Sequence, residues 1–276
     1  YLKIIISPLS ALPHITMAIG LIFLLSPSGL LLRSVSPWLT GFDRPPNSYL
    51  FPDEYGFFLI LGLILKEIPF LILVSLSALR EFSSSKFFDM GKSLQHSSFS
   101  TWFILIFPII YKKIRLVVFI IIAFSSSVVD MSLLLAPSTP STLSVRILQI
   151  FQSSDMDSFF IDSNLSLIQL FLIIILIIAW IFFEKIIKLK SFYIFFIKIT
   201  SFKSEFLKIT ILCFNIILFL LSFMGIICSI LWGFSENWYF PNFFPNDLNI
   251  ENFLNFYYQN KSLILISIFI PLIVSL

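Results

Sequence analysis

Apolar residues fall into six long runs, 4–32, 55–79, 116–135, 165–183, 209–232 and 262–276, separated by polar intervals. A helix rises about 1.5 Å per residue, so a run of about 20 residues crosses about 30 Å of hydrocarbon. The first five runs therefore predict membrane-spanning helices. Pro8, Pro13 and Pro27 interrupt the first, which predicts a broken or kinked span whose freed carbonyls need protection by neighbouring helices. The sixth stops after 15 residues, and the chain begins at Tyr1 with neither an initiator Met nor a signal-peptide pattern. Both ends read as cuts in a longer polypeptide.

The polar intervals differ in character. Interval 33–54 holds Pro37, Pro45, Pro46 and Pro52 with Trp38 and Tyr49, the makeup of an interfacial loop. Interval 83–114 is basic and helix-compatible, and it offers a docking surface. Interval 136–164 is a second loop of the outer kind, 184–208 is a Lys-rich connector, and the fifth run leads into SENWYFPNFFPNDLNIENF.

Composition excludes a soluble globule. Hydrophobic residues make up 58% and charged residues 12%, against roughly 25% charged in an ordinary soluble domain; mean hydropathy is +1.00. Two Cys supply neither a disulfide framework nor a metal ladder. Lys and Arg counts over the successive intervals 33–54, 80–115, 136–164, 184–208 and 235–261 run 2, 6, 1, 6, 1. By the positive-inside rule this alternation puts 83–114 and 184–208 in the cytoplasm and turns the Pro- and aromatic-rich loops outward.

Interval 89–108 resembles the EAA loop of permease subunits of binding-protein-dependent ABC importers. The family pattern is E-A-A, three residues, G, nine residues, I-x-L-P. Here Asp89, Met90 and Gly91 fill the first three positions, Gln95 the Gly position, and Leu105, Ile106, Phe107 and Pro108 the closing four. The wider segments ALPHITMAIGLIFLLSPSG, SPWLTGFDRPP, LILGLILKEIPFL, SVVDMSLLLAPSTPSTLSVRIL and WYFPNFFP look like the YnjC type, in which two permease halves share one chain. The resemblance implies an all-α polytopic transmembrane bundle of the type I importer permease fold in a bacterial inner membrane. Residues 1–183 would be the later part of the first half, 184–208 a basic cytoplasmic connector, and 209–276 the start of a second half. It also implies a cytoplasmic ATPase dimer that binds the ATP, an extracytoplasmic solute-binding protein, no cofactor on this chain and no nucleic-acid partner.

The coupling element is expected as an amphipathic helix over 86–95. Phe87, Phe88, Met90 and Leu94 alternate there with Lys86, Asp89 and Lys92, as an apolar anchor set for a partner's groove requires. Gln95 stands where the family's Gly would close the helix in a left-handed turn at low steric cost, so either the turn moves, to Gly91 for instance, or coupling is impaired.

Lys66 and Glu67 sit halfway through the second run, where each isolated charge costs about 3 kcal/mol. Consecutive helical residues point apart, so each is expected to pair with another helix or to face a solute. Asp130, about 8 Å inside the outer boundary, binds a cationic group or caps a neighbouring helix. His14 has no second ligand at helical spacing and reads as a packing histidine. Cys213 and Cys228 read as small buried apolar residues. No Walker A sequence or catalytic constellation occurs. The reading from a different class is a secondary transporter or channel that uses Lys66, Glu67 and Asp130 as an ion path without an ATPase.

Overall fold

The computed structural model describes residues 2–47, 53–81, 84–94, 97–153, 158–187 and 204–275. The chain is an all-α polytopic membrane protein whose only described strands form a short antiparallel pair, β1 (Ser235–Asn237) and β2 (Asp247–Leu248). Among the described residues, four stretches are long and apolar enough to cross a membrane: His14–Val35, Phe57–Arg80, Phe160–Ile187 and Phe206–Phe234. Two compact units are distinguished, Tyr1–Ala18 with Pro52–Ser222, and Ile19–Phe51 with Phe223–Leu276. The expected division into permease halves rests on a connector whose residues 188–203 lie outside the described residues.

The first apolar run breaks at Pro13 and Pro27 but not at Pro8, which lies inside the first helix. Helix α1 (Leu2–Ala11) ends before Pro13, α2 (His14–Leu25) ends before Pro27, and α3 (Leu30–Val35) follows. Within the first unit, α4 (Phe57–Arg80) continues through Pro69 and packs on α1. Its C-terminal turns share a core of Ala78, Ile106, Ile110 and Ile114 with the later part of the interval 83–114. That interval forms α5 (Ser84–Ser93) and α6 (Ser98–Thr101), then a π-helical turn over Trp102–Ile106 and α7 (Phe107–Ser127).

The expected third span, 116–135, is not one helix. Helix α7 stops at Ser127, Val128 is extended, and α8 (Asp130–Leu135) restarts as a short helix. The break is stabilised because the Val128 carbonyl accepts the hydroxyls of both Ser132 (2.8 Å) and Ser144 (3.1 Å). Helix α7 also begins well before the apolar run, carrying Lys112, Lys113 and Arg115 in its first half. Beyond it, α9 (Leu143–Phe151) and α7 pack against α10 (Ser158–Ile187), where Gln169 Nε2 donates to Ser126 O at 2.8 Å.

In the second unit, α2 meets α11 (Ser204–Phe234) at two glycines. A Cβ on Gly20 would lie 2.5 Å from Gly225 O, so only a hydrogen fits there. One turn further on, Phe23 stacks on Trp232 with ring centroids 4.9 Å apart. The sixth run is α13 (Lys261–Ser275), preceded by α12 (Glu251–Gln259) and bent from it by 70°.

Candidate functional site

Helix α5 occupies the expected coupling position two residues earlier than the sequence suggests, and Gln95 lies outside the described residues. Its two faces have opposite fates. Phe87 and Phe88 turn inward and pack on the Ala78, Ile106, Ile110 and Ile114 core. Lys86, Asp89 and Lys92 are exposed, and so are Met90 (55%) and Leu94 (61%), the latter in the turn that closes the helix with its N–H donated to Met90 O. Gly91 is buried and lies in the helix; the described glycines with positive φ are Gly41 and Gly56, so no left-handed turn falls at Gly91. Its role is close approach. A Cβ there would run into the side chain of Thr101, which is buried with its hydroxyl donated to Ser97 O at 2.9 Å.

Pro108 explains the irregular turn that precedes it. It has no N–H for the carbonyl four residues back, and its ring crowds that carbonyl. The backbone widens into the Trp102–Ile106 π turn, in which Phe107 N donates to Trp102 O, and α7 starts with the proline in its first turn. From there α7 is tied to two other helices. Lys113 pairs with Glu81 at the end of α4. Glu184, buried near the end of α10, accepts from Tyr111 Oη (2.5 Å) and from Arg115 (2.9–3.1 Å), and Trp180 Nε1 donates to Tyr111 Oη at 2.8 Å. In sequence Arg115 closes the basic interval 80–115 and Glu184 opens the Lys-rich connector, with nothing local to join them. The available signal was Tyr111 and Arg115 at i, i+4 on a helix, which share one face.

The three intramembrane charges do not form a single cluster. Lys66 is 6% exposed, and its ammonium donates to Ser10 O (2.6 Å) and Leu12 O at the end of α1. Glu67 points elsewhere, with its Oε1 3.5 Å from His14 Nε2, and the His14 ring packs on Phe124 with centroids 4.9 Å apart. Each has turned to a different helix, as adjacent helical positions require. Asp130 is half-buried at the first position of α8 and accepts from Met131 N at 2.9 Å, a favourable place for a carboxylate on its own helix.

In the second unit the sequence missed Arg33. It is 3% exposed, with its guanidinium donating to Ser28 O (2.8 Å), Tyr239 O (2.9 Å), Asn242 O (2.9 Å) and Trp238 O (3.2 Å). The Trp238 ring lies 4.9 Å from its centre. Three of these carbonyls and an aromatic wall tie α3 to the loop between β1 and β2, while the fourth, of Ser28, lies just ahead of α3. Among the described residues, no group of three or more His, Cys, Asp or Glu could hold a metal.

Comparison with known proteins finds a similarity to the inner membrane ABC transporter permease protein YnjC of Escherichia coli (strain K12), 30% identical over 149 residues. The match covers 54% of this chain and 27% of that protein, so the chain spans about a quarter of the length of the curated relative it matches. No family model and no solved structure matches. Together with the apolar helices, the similarity supports a transporter permease in a membrane.

Proposed function

We propose that the chain belongs to the permease subunit of an ABC importer, moved by a separate cytoplasmic ATPase dimer and supplied by an extracytoplasmic solute-binding protein. The observation that carries this is the divided surface of α5. Its Phe87 and Phe88 grip the spans while Met90 and Leu94 stay bare beside Lys86, Asp89 and Lys92. Exposed apolar anchors with a charged surround suit a groove on a soluble partner. Closure of that partner would move α5, and the shared core would pass the motion to α4 and α7. Tyr111 and Arg115 would carry it on to α10 through Glu184. ATP is hydrolysed on the partner, and this chain contributes no catalytic group. Glu67 and Asp130 are the acidic groups proposed to face the solute, whereas Lys66 holds a helix end.

The test is co-purification and uptake with the full-length polypeptide. Wild-type protein should retain an ATPase with a Walker A motif. Met90→Glu combined with Leu94→Glu should weaken that retention and uptake by about tenfold or more, with an unchanged melting temperature, because both side chains are already exposed. Wild-type protein that retains no ATPase, or uptake undiminished by the double substitution, would sink the proposal.

A further inference from the structure

Within the first unit, an open cavity of about 490 Å³ lies between α9 and α10, lined by Val129, Ser144, Ile147, Leu148, Phe151 and Asp162 among others. That volume falls in the range of small-ligand sites. Asp162 is 6% exposed, and neither of its carboxylate oxygens has a hydrogen-bond partner among the described residues. A buried carboxylate without a partner is costly, and its presence calls for a compensating group.

Two of the three serines that line the cavity have committed their hydrogens. The Ser144 hydroxyl has given its hydrogen to Val128 O (3.1 Å), and that of Ser163, at the exposed rim, has gone to Phe160 O (3.0 Å). Both therefore turn only lone pairs to a visitor, and among the described residues no basic side chain lines the cavity. The walls contributed by Val129, Ile147, Leu148 and Phe151 are apolar. A ligand that fits carries N–H donors with positive charge on an apolar body. Anions are refused by Asp162, and a divalent cation would need more carboxylates than one. The exposed, almost wholly apolar flank of α10 beside the mouth leaves an approach open to amphiphiles.

We propose that this cavity binds a primary ammonium group on an apolar body, with Asp162 as the counter-ion and Ser144 as a second acceptor. The inference stands apart from the ATPase-driven reading, since any membrane protein with this cavity would share it. The ammonium can belong to a free amine or to a phosphatidylethanolamine headgroup.

Two measurements on the full-length polypeptide distinguish these sources. In detergent, calorimetric titration of the wild type with phenethylammonium and with its neutral counterpart 2-phenylethanol should favour the amine by about tenfold or more, and Asp162→Asn should erase the preference. In nanodiscs of mixed phosphatidylethanolamine and phosphatidylcholine, native mass spectrometry should show the primary-amine lipid preferentially retained by the wild type and not by Asp162→Asn. Preference in the first measurement alone points to a free amine, and in the second alone to lipid. Absence of both preferences in the wild type overturns the proposal, as does their survival in Asp162→Asn. The wild-type comparisons need no variant, so a misfolded substitution cannot obscure the result.

Discussion

Lys66 carries a charge into an apolar span at a cost of about 3 kcal/mol, and two carbonyl oxygens offset it. Those carbonyls, of Ser10 and Leu12, are open because α1 stops ahead of Pro13, leaving backbone acceptors without helical donors. The ammonium and the helix end satisfy one another. Lys66→Met should therefore act on stability, costing about 1–3 kcal/mol by stranding the carbonyls. Melting of the purified protein should register that loss while uptake per folded molecule stays near wild type. Lost uptake at unchanged stability would instead assign the ammonium to the solute path. Sequence alone shows that Lys66 needs a partner. It does not show which one, because the acceptors are backbone atoms freed by a proline in a different helix.

Breaks and caps decide where each element begins, and they were unevenly legible. Pro13 and Pro27 forecast the breaks of the first span, since proline removes a backbone donor, whereas Pro8 and Pro69 are carried inside α1 and α4. The break at Val128 carries no such mark. It depends on Ser132 and on the distant Ser144 sharing one carbonyl, a tertiary arrangement with no local signature. The amphipathic spacing of Phe87, Phe88, Met90 and Leu94 told where α5 would be but not that Gly91 serves close approach to Thr101.

At the start of α4, Asp53 accepts from Phe57 N (2.6 Å) and Phe58 N (3.0 Å). Slight burial pushes its carboxyl upward, but these backbone donors outweigh that and hold it below the usual carboxylate range. The folded state thus prefers the ionised form. The resulting stability is present above the ordinary carboxylate value near 3.9 and is lost as pH falls through the lower folded value. Asp53→Ala should lower the melting temperature at pH 7, equivalent to about 1 kcal/mol, and the difference should shrink as pH drops to about 3. A difference that stays constant with pH would mean the carboxylate's charge has no part in it.

At the scale of the whole chain, orientation follows from an argument about transfer of charge across the bilayer. The alternation of Lys and Arg counts, 2, 6, 1, 6, 1, arises because basic intervals resist translocation, so the α5 interval and the β1–β2 loop should face opposite sides. Helix α7 extends the expectation, since its basic first half, with Lys112, Lys113 and Arg115, should join the α5 side and leaves the stretch from Leu116 free of charge. Cysteine labelling tests the assignment. After replacing Cys213 and Cys228 with Ser, Lys92→Cys and Phe244→Cys place thiols at two exposed positions in the two intervals. An impermeant maleimide should label Phe244→Cys in intact spheroplasts and reach Lys92→Cys only after permeabilisation. The reverse pattern would invert the protein, putting α5 out of reach of any cytoplasmic ATPase and removing the basis of the proposed coupling. Labelling of both positions in intact spheroplasts would put them on one face and break the rule of alternation on which the topology rests.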